Sequence, residues 1–164
     1  MNWYFVIKFL HIVTAMMFVG GIFARQLVRA YAKKMDDVHI FAALSQAAGR
    51  VENFMIIPGN LAVIVLGVIL ALMSGYPIFG FLQGASQNWL LVSNILLVLG
   101  LLIVPTVFIP RGKKFEPVLQ AALVEGRMTA ELRSALEDKV VKLAHLYEEV
   151  AVVMVVGLMV FKPF

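Results

Sequence analysis

Four apolar runs, each long enough to cross a bilayer, constrain this chain more than anything else in it. A membrane helix needs roughly 20 mostly apolar residues to cover about 30 Å of hydrocarbon. Trp3 to Ala24, Phe54 to Ser74, Trp89 to Ile109 and Leu143 to Phe161 are the spans expected on that ground. In lipid the backbone has no water to bond, so each run must satisfy its own amides as a helix. The expected fold is all-α: an integral membrane four-helix bundle, one domain over residues 1–164. Cytoplasmic connections are expected at 25–53 and 110–142.

Composition agrees, at 62% hydrophobic and 15% charged. A soluble domain is usually about half apolar and about a quarter charged. Lipid must therefore cover apolar surface that a chain this size has no interior to hold. The fourth run is the least clean. Its uninterrupted part, Val150 to Phe161, would reach only about 18 Å at 1.5 Å per residue. To span, that helix must take Glu148 and Glu149 into the membrane edge.

Charge placement sets the expected orientation. Arg25, Arg29, Lys33, Lys34 and Arg50 lie in the first connection. Arg111, Lys113, Lys114, Arg127, Arg133, Lys139 and Lys142 lie around the second, and only Lys8 and Lys162 fall elsewhere. Basic residues concentrate on the cytoplasmic side of membrane proteins. Both connections are therefore expected inside, and both termini and the Gly75 to Asn88 loop outside. Trp3, Tyr4, Tyr76 and Trp89 then fall at the outer interface, where aromatic rings favour the headgroup level. Because no positive charge precedes the first apolar run, that run reads as a retained helix and not a cleaved signal. The net charge of +4 flanks apolar segments, which argues for topology and against nucleic acid. With no cysteine there is no disulfide or thiolate metal site.

The connections themselves read as helical. Asp36 and Asp37 can cap a helix through His39, Phe41 and Leu44 into the second span. Lys113 to Val124 reads as a short surface helix ended by Gly126. Thr129 can cap another, its stripe Leu132, Leu136, Val140 and Leu143 leading into the fourth span. Pro58 and Pro105 should bend the second and third spans.

Inside the membrane the polar residues are few. At 100° per residue Lys8, His11, Thr14, Gly21 and Arg25 share one arc of the first helix, expected to face the bundle interior. Asn53, Asn60, Gly67 and Ser74 recur every seven residues, the seam of a left-handed helix crossing. The third helix offers Ser93, Asn94 and Gly100. Packing between helices accounts for most of these residues.

His11, about 12 Å down its helix, is the sharpest candidate. An imidazole there hydrogen-bonds a neighbour, relays a proton or ligates haem. His145 falls about 13 Å deeper, which excludes a bis-His haem, and His39 lies in a connection. Met154 counts to nearly the depth of His11 and offers a His/Met pair for haem b. Glu148 and Glu149, with Glu52, are expected to pair with Arg50, Lys142, Arg25 or His145, or to form a proton entry site. The expected polar network is thus Lys8, Glu52, Asn53, Asn60, Asn94, His145, Glu148 and Glu149. No catalytic set, phosphate-binding loop or metal-ligand spacing is present.

Lys8-Phe9-Leu10-His11-Ile12 followed by Phe18-Val19-Gly20-Gly21 resembles the first helix of a domain-of-unknown-function family of predicted bacterial integral membrane proteins. Met159-Val160-Phe161-Lys162-Pro163 and the Arg50 to Pro58 region resemble that family too. More distantly, Leu10-His11-Ile12 and Gly20-Gly21 look like the first helix of copper-resistance D-type proteins and of membrane protoporphyrinogen oxidases. That likeness implies a haem- or porphyrin-linked role for His11 alone. The third span lacks the Lys on which those oxidases rely, and the outer face lacks His- or Met-rich clusters for copper.

Three functional readings follow: a non-catalytic subunit or scaffold of a bacterial inner-membrane complex or homo-oligomer; a haem b protein with His11 as axial ligand; and a proton-coupled carrier using Glu148, Glu149 and Lys8. The orientation has a direct test. A reporter active only outside the cytoplasm should be active when fused after Phe164, and silence there with activity of a cytoplasmic reporter overturns the span count.

Overall fold

A computed structural model describes residues 2–164. The described residues form seven α-helices: α1 (Trp3–Ala32), α2 (Val38–Val51), α3 (Ile57–Ser74), α4 (Trp89–Ile103), α5 (Ile109–Glu125), α6 (Ala130–Leu136) and α7 (Lys139–Phe161). No strand occurs among them. Two of the joins are not breaks. A π-helical turn, Glu52–Ile56, carries α2 into α3, and another, Val104–Phe108, carries α4 into α5. The described residues thus hold four helices long and apolar enough to cross a membrane, two of them 37 residues long.

The prolines explain the π turns. A proline inside a helix has no N–H to give and its ring crowds the carbonyl four residues back. Widening the turn by one residue relieves both faults. Pro58 follows the first π turn and Pro110 follows the second at the same spacing, with Pro105 inside the second turn as well. There the N–H groups of Ile57 and Ile109 donate to the carbonyls of Glu52 and Val104, five residues back.

The spans pair as α1 with α3 and α4 with α7, and α1 touches α7 across the middle. Glycines set the first pairing. A Cβ on Gly21 would stand 3.0 Å from Ile56 and Met55, and one on Gly59 would stand 3.2 Å from the backbone of Phe18. The seven-residue seam is only partly realised. Asn60 and Gly67 lie in the interface, but Asn53 and Ser74 are exposed. The heptad count assumed an unbroken α-helix, and the extra residue of the π turn swings Asn53 off the buried face.

In the second pair, the Tyr147 hydroxyl donates to the Leu96 carbonyl at 2.8 Å, beside Gly100. At the end bearing the termini, Tyr76 and Trp89 pack edge to face. The Lys162 ammonium lies 4.5 Å from the Tyr76 ring centre and 5.4 Å from that of Trp89. The Phe164 carbonyl accepts the N–H groups of Asn88 and Trp89, which open α4. The Lys162-Pro163 segment therefore closes the α4/α7 pair.

At the basic end the connections pack on one another. Ala32, Val38, Phe41, Leu119, Ala122 and Leu132 form a small core of their own. Asp37 caps α2 by accepting the N–H groups of His39 and Ile40. Thr129 caps α6, and Gly126 ends α5 in the left-handed region at φ 68°. Two expectations need correcting here. The Lys113 to Val124 segment is no separate surface helix but the last third of the Trp89–Glu125 helix. The Leu132 to Leu143 stripe is cut at Glu137, where Asp138 caps α7 afresh. Leu132 is buried, whereas Val140 and Leu143 face outward.

The α1/α3 contact predicts a contrast. Gly59→Val should lower stability in detergent, followed by denaturant unfolding, by roughly 1–3 kcal/mol through overpacking. Gly157→Ala, with nothing within 4 Å of a new Cβ, should change it by no more than about 0.5 kcal/mol.

Candidate functional site

Arg25 is the most buried charged residue described, at 1% exposure. It lies on the inward arc of α1, one turn below Gly21, and a guanidinium stays ionised, so the fold must bring it anions. α7 supplies Glu148, whose Oε2 accepts from Arg25 Nη2 at 2.5 Å. The π turn between α2 and α3 supplies Glu52, 3.6 Å from Arg25 Nη1. Arg29, one turn further along α1, also lies 3.6 Å from Glu52. Two guanidinium and two carboxylate charges cancel, which suits a site removed from water.

His145 completes the cluster. Its Nδ1 is 3.0 Å from Glu148 Oε2, and its Nε2 is 2.5 Å from Arg29 Nη1. Arginine can only donate, so Nε2 accepts, and Nδ1 carries the hydrogen given to Glu148. Phe108, at the end of the second π turn, stacks on the imidazole at 4.6 Å between ring centres. Both π turns thus lie at the level of this cluster, one delivering Glu52 and the other Phe108.

Toward the terminal end the cluster meets an apolar layer of Ile22, Ile56 and Val152, backed by Phe18 and Val19. Toward the basic end it meets an open cleft of about 1560 Å³ between α1, α2, α5, α6 and α7. Arg25, Arg29, Glu52 and His145 lie in its wall.

The other candidates lie apart. His11 packs against α3, its Cε1 3.1 Å from where a Gly67 Cβ would stand, and its Nδ1 is buried without a hydrogen-bond partner. The Asn60 side-chain oxygen is likewise unpartnered. Met154 does not reach His11. Val152 packs on Ile22, and eleven residues of α1 separate that level from His11, about 16 Å at 1.5 Å per residue. Met154 instead lines a shallow recess with Phe23 and Val153. Depth counted from the helix end misplaced it because α7 is offset against α1 by the Arg25–Glu148 pairing. Lys8 is exposed and leans over the Tyr4 ring at 5.9 Å. Asn53 is exposed, and Asn94 holds the Ile78 carbonyl in the loop before α4.

Of the expected network, Glu52, His145 and Glu148 therefore come together, and Arg25 is the cation that joins them. Arg50 is exposed and Lys142 bonds Glu137 instead. Glu149 lies on the cleft wall with no ion-pair partner among the described residues. Two members escaped sequence reasoning. Arg29 carried a signal, the four-residue spacing from Arg25 that puts both on one face. Phe108 carried none, because its position depends on the π turn.

The cluster's structural share is measurable by a double-mutant cycle on α1 and α7. Arg25→Met and Glu148→Leu should each cost about 3–5 kcal/mol in detergent unfolding, since each strands a buried charge. The double variant should recover most of that loss. Additive losses would show that the two charges do not depend on each other.

Comparison with known proteins adds one finding. The model of a family described as predicted integral membrane protein (DUF2269) matches residues 5–163. No curated protein and no solved structure matches the chain.

Proposed function

The chain belongs to the DUF2269 family of predicted integral membrane proteins, and on that premise we propose that it is a non-catalytic subunit or scaffold of a membrane complex. It lies in a bacterial inner membrane, with the basic end in the cytoplasm and both termini outside. The observation that carries this reading is the use made of the intramembrane charges. Arg25, Arg29, Glu52 and Glu148 neutralise one another and tie α1 to the α2/α3 junction and to α7. They do not line a track across the membrane, because Ile22, Ile56 and Val152 lie between them and the other end. That layer speaks against a proton-coupled carrier built from one copy.

Partner surfaces have a basis in the spans. Gly20 and Gly157 lie on helix faces where a Cβ would meet nothing within 4 Å. Small residues on lipid-facing helices let a further helix approach closely.

A second reading rests on His11, whose buried Nδ1 has no partner. A haem held through His11 would use an imidazole nitrogen as axial ligand, without Met154.

One preparation tests both readings. Protein purified in mild detergent from its haem-replete host should run as a discrete assembly larger than one chain and be colourless. Gly20→Leu with Gly157→Leu should reduce it to monomer without loss of thermal stability. A monomer from the start would sink the subunit reading. A Soret band lost in His11→Ala would replace it with the haem reading.

A further inference from the structure

Histidine is the side chain whose charge ordinarily changes between about pH 5 and 8, and the charged cluster contains one. Each side of the His145 ring has its own neighbour. Nδ1 gives a hydrogen to Glu148 at 3.0 Å, and Nε2 takes one from Arg29 at 2.5 Å. Phe108 covers one face, 4.6 Å away between ring centres. The cleft at the basic end reaches His145, Arg29 and Phe108, so water and its protons have a route to the ring from that side.

A second proton on the ring acts unequally on these neighbours. It would sit on Nε2, making that nitrogen a donor that faces the donors of Arg29, with two cations in contact. The other contacts survive. Nδ1 still donates to Glu148, now in a charge-assisted bond, and the face of Phe108 attracts a cation. Arg29 is therefore the group that must move. Its side chain is 34% exposed, against 1% for Arg25, and it keeps Glu52 as a partner at 3.6 Å. The remaining charges around the ring are largely committed. Arg25 is held by Glu148 and Glu52, Lys142 bonds Glu137, and Arg111 bonds Asp138 at 2.8 Å. Lys33 lines the same cleft, and Glu149, four residues on from His145 and on its face of α7, adds a negative charge to the wall. Among the described residues, the Arg29–His145 contact is the one side-chain hydrogen bond between α1 and α7 on the basic side of Arg25.

We propose that His145 is a proton-operated latch between α1 and α7. A proton taken up from the basic end frees Arg29 from the ring and lets the two helices part there, widening the cleft. The Arg25–Glu148 pair, one turn deeper, holds the spans together meanwhile. The structure is the closed form, with Nε2 unprotonated. The proton comes from water and stays on Nε2, and only hydrogen bonds change. The apolar layer of Ile22, Ile56 and Val152 lies on the far side of the cluster. The latch therefore answers to the pH at the basic end alone.

Two measurements on the full chain in lipid nanodiscs, taken from about pH 8 down to about pH 5, test this. Nitrogen NMR has only three histidines to separate. The His145 ring should carry its hydrogen on Nδ1 at the start and on both nitrogens at the end, and the Arg29 guanidinium should lose its restricted signal in the same step. Spin labels on Tyr31→Cys and Leu143→Cys, both exposed, go nowhere else in a chain without cysteine. They should move apart by about 1–2 Å, the scale of helix shifts in switching proteins. His145→Gln copies the neutral ring, since its amide donates to Glu148 and accepts from Arg29 but takes up no proton. It should hold Arg29 and the label distance fixed throughout, with an unchanged melting temperature at the upper pH. His39→Gln, at an exposed position of α2, should respond like the parent. A ring that stays singly protonated at the lower pH overturns the latch, as does one that gains its proton while Arg29 or the label distance stays put. The same response in His145→Gln overturns it too, because the titrating group would lie elsewhere.

Discussion

An arginine that cannot lose its charge lies almost fully buried among membrane helices, and much of the architecture answers to it. Leaving the Arg25 charge unpaired away from water would cost several kcal/mol. Glu148 on α7 and Glu52 in the first π turn meet that demand. Together with the Ile22/Val152 contact, the pairing sets how α7 is offset against α1. That offset then decides every other depth relation between the two helices, including the distance that separates Met154 from His11. Among the spans the two pairs meet through α1 and α7 at this level, and the core of the connections, with Phe41 among Leu119, Ala122 and Leu132, joins the halves again at the basic end.

The prolines act in the same place by a different route. Each widens its helix into a π turn where the spans leave the bundle, and each turn presents a residue to the charged cluster. Glu52 comes from one and Phe108 from the other. An α-helical continuation would rotate each residue by about 100° from where it now stands. The same widening turns Asn53 away from the seam that it would otherwise share with Asn60 and Gly67.

How far the site was legible depends on which kind of information each residue carried. Glu52, His145 and Glu148 announced themselves as polar groups at membrane depth, and Arg25 as the inward end of a polar arc on α1. Arg29 looked like one more topology charge, although its spacing from Arg25 places it on the same face. Phe108 looked like any apolar residue of a span. Lys8 shared the arc on the wheel but lies near the headgroup end of its helix, where a long cationic side chain can turn outward. The cleft was not legible at all, since its walls come from five helices spread over the chain from Arg25 to Glu149.

The sequence by itself determined that the chain is an all-helical membrane protein with four spans, two of them perturbed by proline, and helical connections. Those properties follow from local quantities: the length of an apolar run, the backbone's need to bond itself in lipid, the chemistry of Asp37, Thr129 and Gly126 at helix ends, and proline's missing donor. Only the tertiary structure decided which polar residues meet, how α7 is offset against α1, and that Asp138 restarts a helix the pattern had continued. Those are relations between surfaces far apart in the chain. They are settled by charge neutralisation at Arg25 and by close approach at Gly21, Gly59 and Gly67, and no single helix carries them in its own residues.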